Sequence, residues 1–145
     1  MNANVLKRES DMSAAAVSVL PRSWAPYGQA LLRIMIGLLF LQHGLSKLVD
    51  FPHMDLAMMP EALKIVAGVI ETIGGALLIV GFSTRVAAFV MSGFGAAAYF
   101  MAHAPQSFFP ALNGGDAAIL FCFASLFLAV GGPGTWAIDR EESVA

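Results

Sequence analysis

The sequence predicts an all-α integral membrane protein: a bundle of four transmembrane helices with both termini in the cytoplasm. Two observations support this fold class. Of the 145 residues, 58% are hydrophobic and only 12% are charged, and the mean hydropathy of +0.74 is well above that of soluble domains. In addition, four apolar stretches approach the length of roughly 20 helical residues that crosses a bilayer core.

The four predicted spans have recognisable ends. Pro26 precedes the first span and Pro60 the second, Gly81 ends the second, and the glycine-rich segment 131–134 stops the fourth. A helix is the expected state because lipid offers no partner to unpaired backbone groups. The predicted spans cover residues 27–45, 62–80, 86–102 and 117–130.

The polar segments divide the chain into three parts. Residues 1–22 carry many alanines and serines with charges of both signs, and are predicted to be a disordered leader. Residues 23–138 form the transmembrane domain, and residues 139–145 form a short charged cytoplasmic tail. The first span begins too far from the N-terminus, and contains Arg33, so it does not fit a cleaved signal peptide.

Basic residues determine the predicted orientation. Five of them lie in the leader, in the turn after the second span and in the tail, whereas Lys47 and Lys64 lie on the opposite side. The positive-inside rule therefore places both termini in the cytoplasm.

Helical spacing places polar and small residues on one stripe of each of the first two spans. An isolated charge deep in a bilayer is costly, so Arg33 and Glu71 are expected to face inward and to contact each other. Two interpretations stay open: a structural ion pair that fixes helix register, and a site for a polar head group or a proton-transfer step. The stripes contain Arg33, Gly37, Phe40, Gly44 and Lys47 in the first span, and Lys64, Gly68, Glu71 and Gly75 in the second.

A second set of polar residues maps to the outer ends of the spans. Its histidines could bind haem or a metal or pass protons, but no ligand spacing supports a metal site, and interfacial hydrogen bonding is the favoured interpretation. The set comprises His43, Lys47, Glu61, His103, Asn113 and Asp116, with Tyr99 on the same face of the third span as His103.

Two other features bear on metal binding and redox chemistry. Thioethers near His53 in the first loop could take Cu(I), although methionine is more often filler at a lipid surface. The single cysteine, Cys122, cannot form an intramolecular disulfide. No metal site is predicted.

Several classes of function are excluded or disfavoured. The basic residues are too few and scattered for a nucleic-acid binder. No nucleotide-binding, nucleophile-elbow or cysteine-cluster motif is present, so redox chemistry would need a quinone, another borrowed cofactor or a partner subunit. As an enzyme, the chain is expected to be incomplete alone.

Four segments in the same order resemble the DoxX family of small bacterial membrane proteins. They are "LLRIMIGLLFLQHGLSKL" at 31–48, "AGVIETIGGALLIVGFSTR" at 67–85, "AYFMAHAPQSFFPALNGGD" at 98–116 and "GGPGTWAIDR" at 131–140. The resemblance implies a multi-pass protein of the bacterial inner membrane linked to quinone-dependent oxidoreduction. By this resemblance, the recurring polar positions of the family correspond to Arg33, His43, Gly44, Lys47, Glu71, His103, Asn113, Asp116 and Asp139. Relatives often have a glutamate where this sequence has Phe94.

The leading hypothesis is a membrane subunit of a quinone-linked oxidoreductase system. Arg33, Glu71, His43 and His103 are the predicted catalytic residues. Contacts to the quinone head group are assigned to Lys47, Tyr99, Asn113 and Asp116. The alternatives are a non-catalytic scaffold for a redox complex and a small-molecule permease. The expected partners are membrane lipid and a redox protein, and homo-oligomerisation stays open.

Overall fold

The computed structural model describes residues 20–140, and within that range it is helical with no strand. The predicted leader lies largely outside the described residues, as does the end of the tail. A short 3-10 turn, Arg22–Trp24, precedes the first helix. The helices are α1 (Ala25–Val49), α2 (Glu61–Val80), α3 (Thr84–Ala98), α4 (Pro110–Asn113) and α5 (Asp116–Gly131), with a π-helical turn, Tyr99–His103, directly after α3.

Three continuous helical segments are long and apolar enough to cross a membrane: Arg22–Val49, Glu61–Val80 and Thr84–His103. These correspond to the first three predicted spans, each extended at one or both ends. The fourth apolar helix, α5, has 16 residues, about 24 Å at the usual rise, and falls short of that length. The predicted membrane character is confirmed, with three candidate spans and one shorter apolar helix.

The helices pack in a ring in which α1 lies mainly on α2 and α3 mainly on α5, while α2 touches α3 and α1 touches α5. The bundle has two ends, which we call the terminal end and the loop end. The terminal end carries residues 20–24, the α2–α3 turn and residues 132–140. The loop end carries residues 50–60 and 104–115. The core between these ends consists of Ile36, Phe40, Leu78, Ala87, Ala88, Met91 and Leu128.

Glycines set the close contact between α1 and α2. A Cβ atom at Gly75 would lie 2.6 Å from the backbone nitrogen of Leu41, and one at Gly37 would lie 2.8 Å from the carbonyl oxygen of Gly75. Only hydrogen fits at such positions, so the backbones approach directly, as in other helix pairs in membranes. This contact fixes the antiparallel register in which the polar side chains of α1 and α2 meet.

The turn between α2 and α3 needs a left-handed residue, which Gly81 supplies with φ 68°. Its N–H donates to the carbonyl oxygen of Leu78 at 3.2 Å, and the N–H of Phe82 donates to the carbonyl oxygen of Leu77 at 3.1 Å. This is the Schellman pattern that satisfies the last carbonyl groups of a helix. The segment after α5 pairs with this turn, because the N–H groups of Ile138 and Asp139 donate to the carbonyl oxygens of Val80 and Gly81.

Candidate functional site

Lys47 and Glu71 form an ion pair between α1 and α2. Lys47 Nζ donates to Glu71 Oε2 at 2.7 Å and to Oε1 at 3.0 Å, and its third donor reaches the carbonyl oxygen of His43 at 3.5 Å. The two side chains are only 10% and 6% exposed. The two charges therefore neutralise each other inside the bundle, where an isolated charge would be costly.

Helix geometry explains why these two side chains meet. Lys47 lies three residues after Gly44, and Glu71 three residues after Gly68, so each charge is one turn from a glycine on the same face. A Cβ atom at Gly44 would lie 2.6 Å from the backbone nitrogen of Thr72. Because the helices touch there, Lys47 reaches the carboxylate of the neighbouring helix.

His43 lies one turn before Lys47, and its ring is held by backbone and aromatic contacts. Nδ1 is 2.8 Å from the carbonyl oxygen of Leu39. A carbonyl oxygen only accepts hydrogen bonds, so Nδ1 carries the proton and Nε2 of the neutral ring is an acceptor.

Two aromatic side chains border this group. Phe121 of α5 meets His43 edge-on with ring centroids 5.8 Å apart, and packs on Phe40 of α1 with centroids 4.8 Å apart. We call Lys47, Glu71, His43, Phe40 and Phe121 the polar site. It combines a neutralised charge pair, one imidazole acceptor and two apolar rings.

The predicted contact between Arg33 and Glu71 is wrong. Arg33 reaches α2 at the carbonyl oxygens of Leu78 and Ile79, about 10 Å along the helix axis from Glu71. The physical reason lies at the other end of α1. This helix continues to Val49, four residues past its predicted end, so Lys47 lies within the bundle and takes the carboxylate.

All five N–H donors of Arg33 are taken by backbone carbonyl oxygens, and its side chain is fully buried. Two acceptors belong to the last turn of α2, where carbonyl groups lack helical partners and a cation is favoured. We call this arrangement the Arg33 clamp. The bonds run from Nε to Pro133 at 2.8 Å, from Nη1 to Leu78 at 2.6 Å and Ile79 at 2.8 Å, and from Nη2 to Thr135 at 3.1 Å and Trp136 at 2.8 Å.

Asp139 extends the clamp to α3. Its Oδ1 accepts from the N–H of Ser83 at 2.8 Å and its Oδ2 from the N–H of Thr84 at 2.6 Å, so it caps the N-terminus of α3 from 55 residues away. Burial alone would raise the pKa of Asp139. The hydrogen bonds from Thr84 and Ser83, with the charge of Arg33, outweigh burial and hold that pKa below its ordinary value.

Tyr99, His103 and Asn113 form a second group at the loop end. The rings of Tyr99 and His103 stack at 17° with centroids 6.4 Å apart, and His103 Nδ1 lies 2.9 Å from the carbonyl oxygen of Asn113. Asn113 is itself held by the N–H of Gly115 and the carbonyl oxygen of Ser107. The π-helical turn that carries Tyr99 and His103 is a feature often found at functional sites.

The predicted site residues thus fall into separate places. Lys47, Glu71 and His43 meet in the polar site, and Tyr99, His103 and Asn113 meet at the loop end. Arg33 is in the clamp at the terminal end, and Asp116 is exposed in the first turn of α5. Their catalytic and head-group roles stay predictions.

The described part of the chain, residues 20–140, contains no group of three or more His, Cys, Asp or Glu placed to hold a metal ion. In the first loop, His53 pairs with Asp50 at 2.8 Å, and the side chain of Met58 is almost fully exposed.

Two parts of the arrangement were not predicted. Three of the five acceptors of the Arg33 clamp come from the segment after α5, whose glycines and proline end the helix and leave carbonyl groups available. A glycine- and proline-rich segment after a helix therefore indicates that a cation could bind its free carbonyl groups, but it does not identify the cation. The contact of Phe121 with His43 has no local signal, because it joins two helices far apart in sequence.

Comparison with known proteins gives two matches. The model of the DoxX family matches residues 28–104. A protein of Haemophilus influenzae described as uncharacterized is 38% identical over 124 residues, covering 81% of this chain and 92% of that protein. No solved structure matches.

Proposed function

Since the chain belongs to the DoxX family, we propose that it is a multi-pass protein of the bacterial inner membrane that binds a quinone-like head group in the polar site. It would serve as the membrane subunit of a quinone-linked oxidoreductase system, a function often linked to DoxX membership. The observation that carries the proposal is the Lys47–Glu71 pair, withdrawn from the surface within two candidate spans.

The proposed topology has four crossings with both termini in the cytoplasm. In it, α5 completes the bundle with help from flanking residues near the interfaces, since its 16 residues cover about 24 Å of a roughly 30 Å core. Arg22, Arg85 and Arg140 lie at or near the terminal end. Lys47 is buried in an ion pair, so of the two lysines first assigned to the loop end only Lys64 remains near that surface. This strengthens the charge asymmetry that favours a cytoplasmic terminal end.

The chemistry of the polar site suits a planar head group with polar atoms at its rim. Phe121 offers an apolar ring that packs on the buried Phe40, and His43 offers a polar edge beside a neutralised charge pair. In this function the chain binds and orients the head group and can hold a proton at His43 Nε2. A quinone would supply the redox chemistry, with electrons from a partner subunit.

The experiment measures binding of a short-tail benzoquinone to the full-length protein in a mild non-ionic detergent. Glu71→Gln leaves Lys47 as an uncompensated buried cation beside the head group and is expected to weaken binding by at least about tenfold. The matched control is Glu61→Gln, because Glu61 pairs with Lys64 at 3.3 Å on the surface with 72% of its side chain exposed. The control should bind like the wild type.

Equal affinity of wild type and a folded Glu71→Gln variant would remove the polar site from this function. Folding is checked separately by monodispersity in detergent, so that loss of binding is not mistaken for loss of structure.

A scaffold for a redox complex is the second candidate, and one observation favours it. Within residues 20–140, the Arg33 clamp and the Lys47–Glu71 pair supply partners for the buried cations Arg33 and Lys47. For a scaffold, Lys47→Met combined with Glu71→Leu should preserve the fold and the recovery of protein partners in mild detergent. Loss of oxidoreductase activity with an intact complex would exclude this function and support the first.

A further inference from the structure

We infer that the outward face of α1 is the contact surface for a second copy of the chain, and that the two copies join through hydrogen bonds between their Gln42 amides within the membrane. This surface lies on the opposite side of α1 from its contact with α2. The inference does not depend on a ligand in the polar site.

Gln42 is a polar side chain in apolar surroundings. It is exposed on α1, and within residues 20–140 its amide has no hydrogen-bond partner. Away from the first and last turns of α1, α2, α3 and α5, every other exposed position carries an apolar residue or glycine. Lipid offers no partner to an amide, so leaving this group exposed to acyl chains is costly.

The depth of Gln42 keeps its amide away from water. It lies five residues after Gly37, the midpoint of α1, or about 7.5 Å along the helix axis. With α1 centred in the bilayer, the backbone at this position is about 7 Å below the edge of the roughly 30 Å apolar core. Glutamine lacks the long stem with which lysine and arginine reach the interface. The amide therefore needs a partner inside the lipid.

The residues around Gln42 have the spacing of a helix-pairing surface. Positions alternately three and four residues apart run along one side of α1, opposite Gly37 and Gly44, which pack on α2. All but Leu45 are exposed, and Leu45 is half-buried. We call this surface the α1 seam, which comprises Gly28, Leu31, Met35, Leu38, Gln42, Leu45 and Val49.

Gly28 gives a separate reason to place another helix on the α1 seam. A Cβ atom there would meet nothing within 4 Å, so no contact among the described residues requires a glycine at this position. Glycine also lowers the stability of a helix relative to alanine. In membranes, small residues at a helix surface let a second backbone approach closely.

A second copy of the chain satisfies the Gln42 amide without any other partner. All copies insert with the same orientation, so two α1 helices meet in parallel about a two-fold axis along the membrane normal. Each Gln42 then lies at the same depth as its counterpart. A primary amide both donates and accepts, so Nε2 of each copy can donate to Oε1 of the other. A single polar residue at such a position also fixes the register of the pair.

The first test measures self-association of the full-length protein in phosphatidylcholine vesicles. Energy transfer between donor- and acceptor-labelled copies is followed over a series of protein-to-lipid ratios. Gln42→Leu should raise the dissociation constant about five- to thirtyfold, the effect of interhelical hydrogen bonds in a membrane. The variant should fold, because Gln42 has no partner within residues 20–140. The matched control is Gln106→Leu, an exposed glutamine at the loop end, which should associate like the wild type.

A pair of glycine substitutions tests the close approach at the α1 seam. Gly28→Leu should weaken association by at least about fivefold, because the added side chain separates the two backbones. Gly93→Leu is the matched control. Gly93 is exposed on α3, and a Cβ atom there also meets nothing within 4 Å. It should leave association unchanged.

Cross-linking locates the contact surface. In a Cys122→Ala background, which removes the native thiol, Leu38→Cys should form a disulfide between copies on oxidation. Ile73→Cys, on the exposed side of α2, should not.

Three results would overturn the inference. One is a wild type that stays monomeric at every protein-to-lipid ratio; loss of protein partners from Gln42→Leu would then assign the α1 seam to a different protein. The others are unchanged association of Gln42→Leu and cross-linking at Ile73→Cys alone. None of them touches the proposed function, because quinone binding is measured separately at the polar site.

Discussion

Arg33 donates from Nε to the carbonyl oxygen of Pro133 at 2.8 Å, across 100 residues of sequence. The same guanidinium bonds to the end of α2 and to Thr135 and Trp136. A single buried side chain thus joins α1, α2 and the segment after α5. The permanent cation in an apolar helix is explained by five carbonyl groups that no helix satisfies.

We expect Arg33→Lys to lower the free energy of unfolding by about 2–6 kcal/mol. A lysine has three donors, so at least two buried carbonyl groups would lose their partner, at about 1–3 kcal/mol each. The measurement is thermal unfolding in detergent, followed by tryptophan fluorescence. One of the chain's two tryptophans, Trp136, lies in the clamp and meets Tyr27 edge-on at 5.5 Å.

The control for this prediction is Arg85→Lys. Arg85 also donates to backbone carbonyl groups, at the end of α5, but these bonds are exposed to solvent, so we expect a change within about 0.5 kcal/mol. Similar losses of unfolding free energy for the two substitutions would mean that the buried hydrogen bonds of Arg33 stabilise the fold no more than the exposed ones of Arg85.

Asp139 should make stability depend on pH in the acid range. Its folded pKa lies below its ordinary value of 3.8, so the ionised group stabilises the folded state above that value. This contribution is lost as the pH falls through the folded pKa. We expect the melting temperature of the wild type to exceed that of Asp139→Asn near neutral pH and the difference to shrink on acidification.

The control for Asp139 is Asp55→Asn, in the exposed first loop. It should leave the acid dependence of the melting temperature as in the wild type. A difference between wild type and Asp139→Asn that is constant with pH would show that the cap contributes through shape and not through charge.

The helices could be predicted from the sequence because their causes are local. Apolar length, Pro60, Gly81 and the glycines after Val130 determine where helices begin and end, and the stripe of Gly37 and Gly44 predicted a close contact of α1. Membrane character follows from the same features.

The pairing of the charges could not be predicted in this way, because it depends on register between helices. Sequence spacing places Arg33, Lys47 and Glu71 on inward faces but does not say which cation meets the carboxylate. The end of α1 decided this, since Lys47 lies inside the helix and not in the following loop. The partners of Arg33 are backbone atoms, which carry no residue-specific pattern.

The contact between α1 and α2 predicts the effect of Gly75→Ala. The added Cβ atom would lie 2.6 Å from the nitrogen of Leu41 and 2.7 Å from the carbonyl oxygen of Gly37, both backbone atoms that cannot move alone. We expect a loss of about 1–3 kcal/mol in unfolding free energy, typical of overpacking. Gly93→Ala is the control, because a Cβ atom there has no neighbour within 4 Å. It should be neutral or stabilising, and equal behaviour of the two variants in thermal unfolding would argue against a tight α1–α2 contact.

A double-mutant cycle tests the energetics of the Lys47–Glu71 pair. Lys47→Met and Glu71→Leu should each lower the unfolding free energy by about 3–5 kcal/mol, because each leaves one buried charge without its partner. The double variant buries no charge, so it should be more stable than either single variant, with a coupling energy of at least about 2 kcal/mol. The same cycle on the exposed Glu61–Lys64 pair should give a coupling energy below about 1 kcal/mol. Additive losses at Lys47 and Glu71 in denaturant or thermal unfolding would mean that the two charges are solvated independently and that the polar site is open to water.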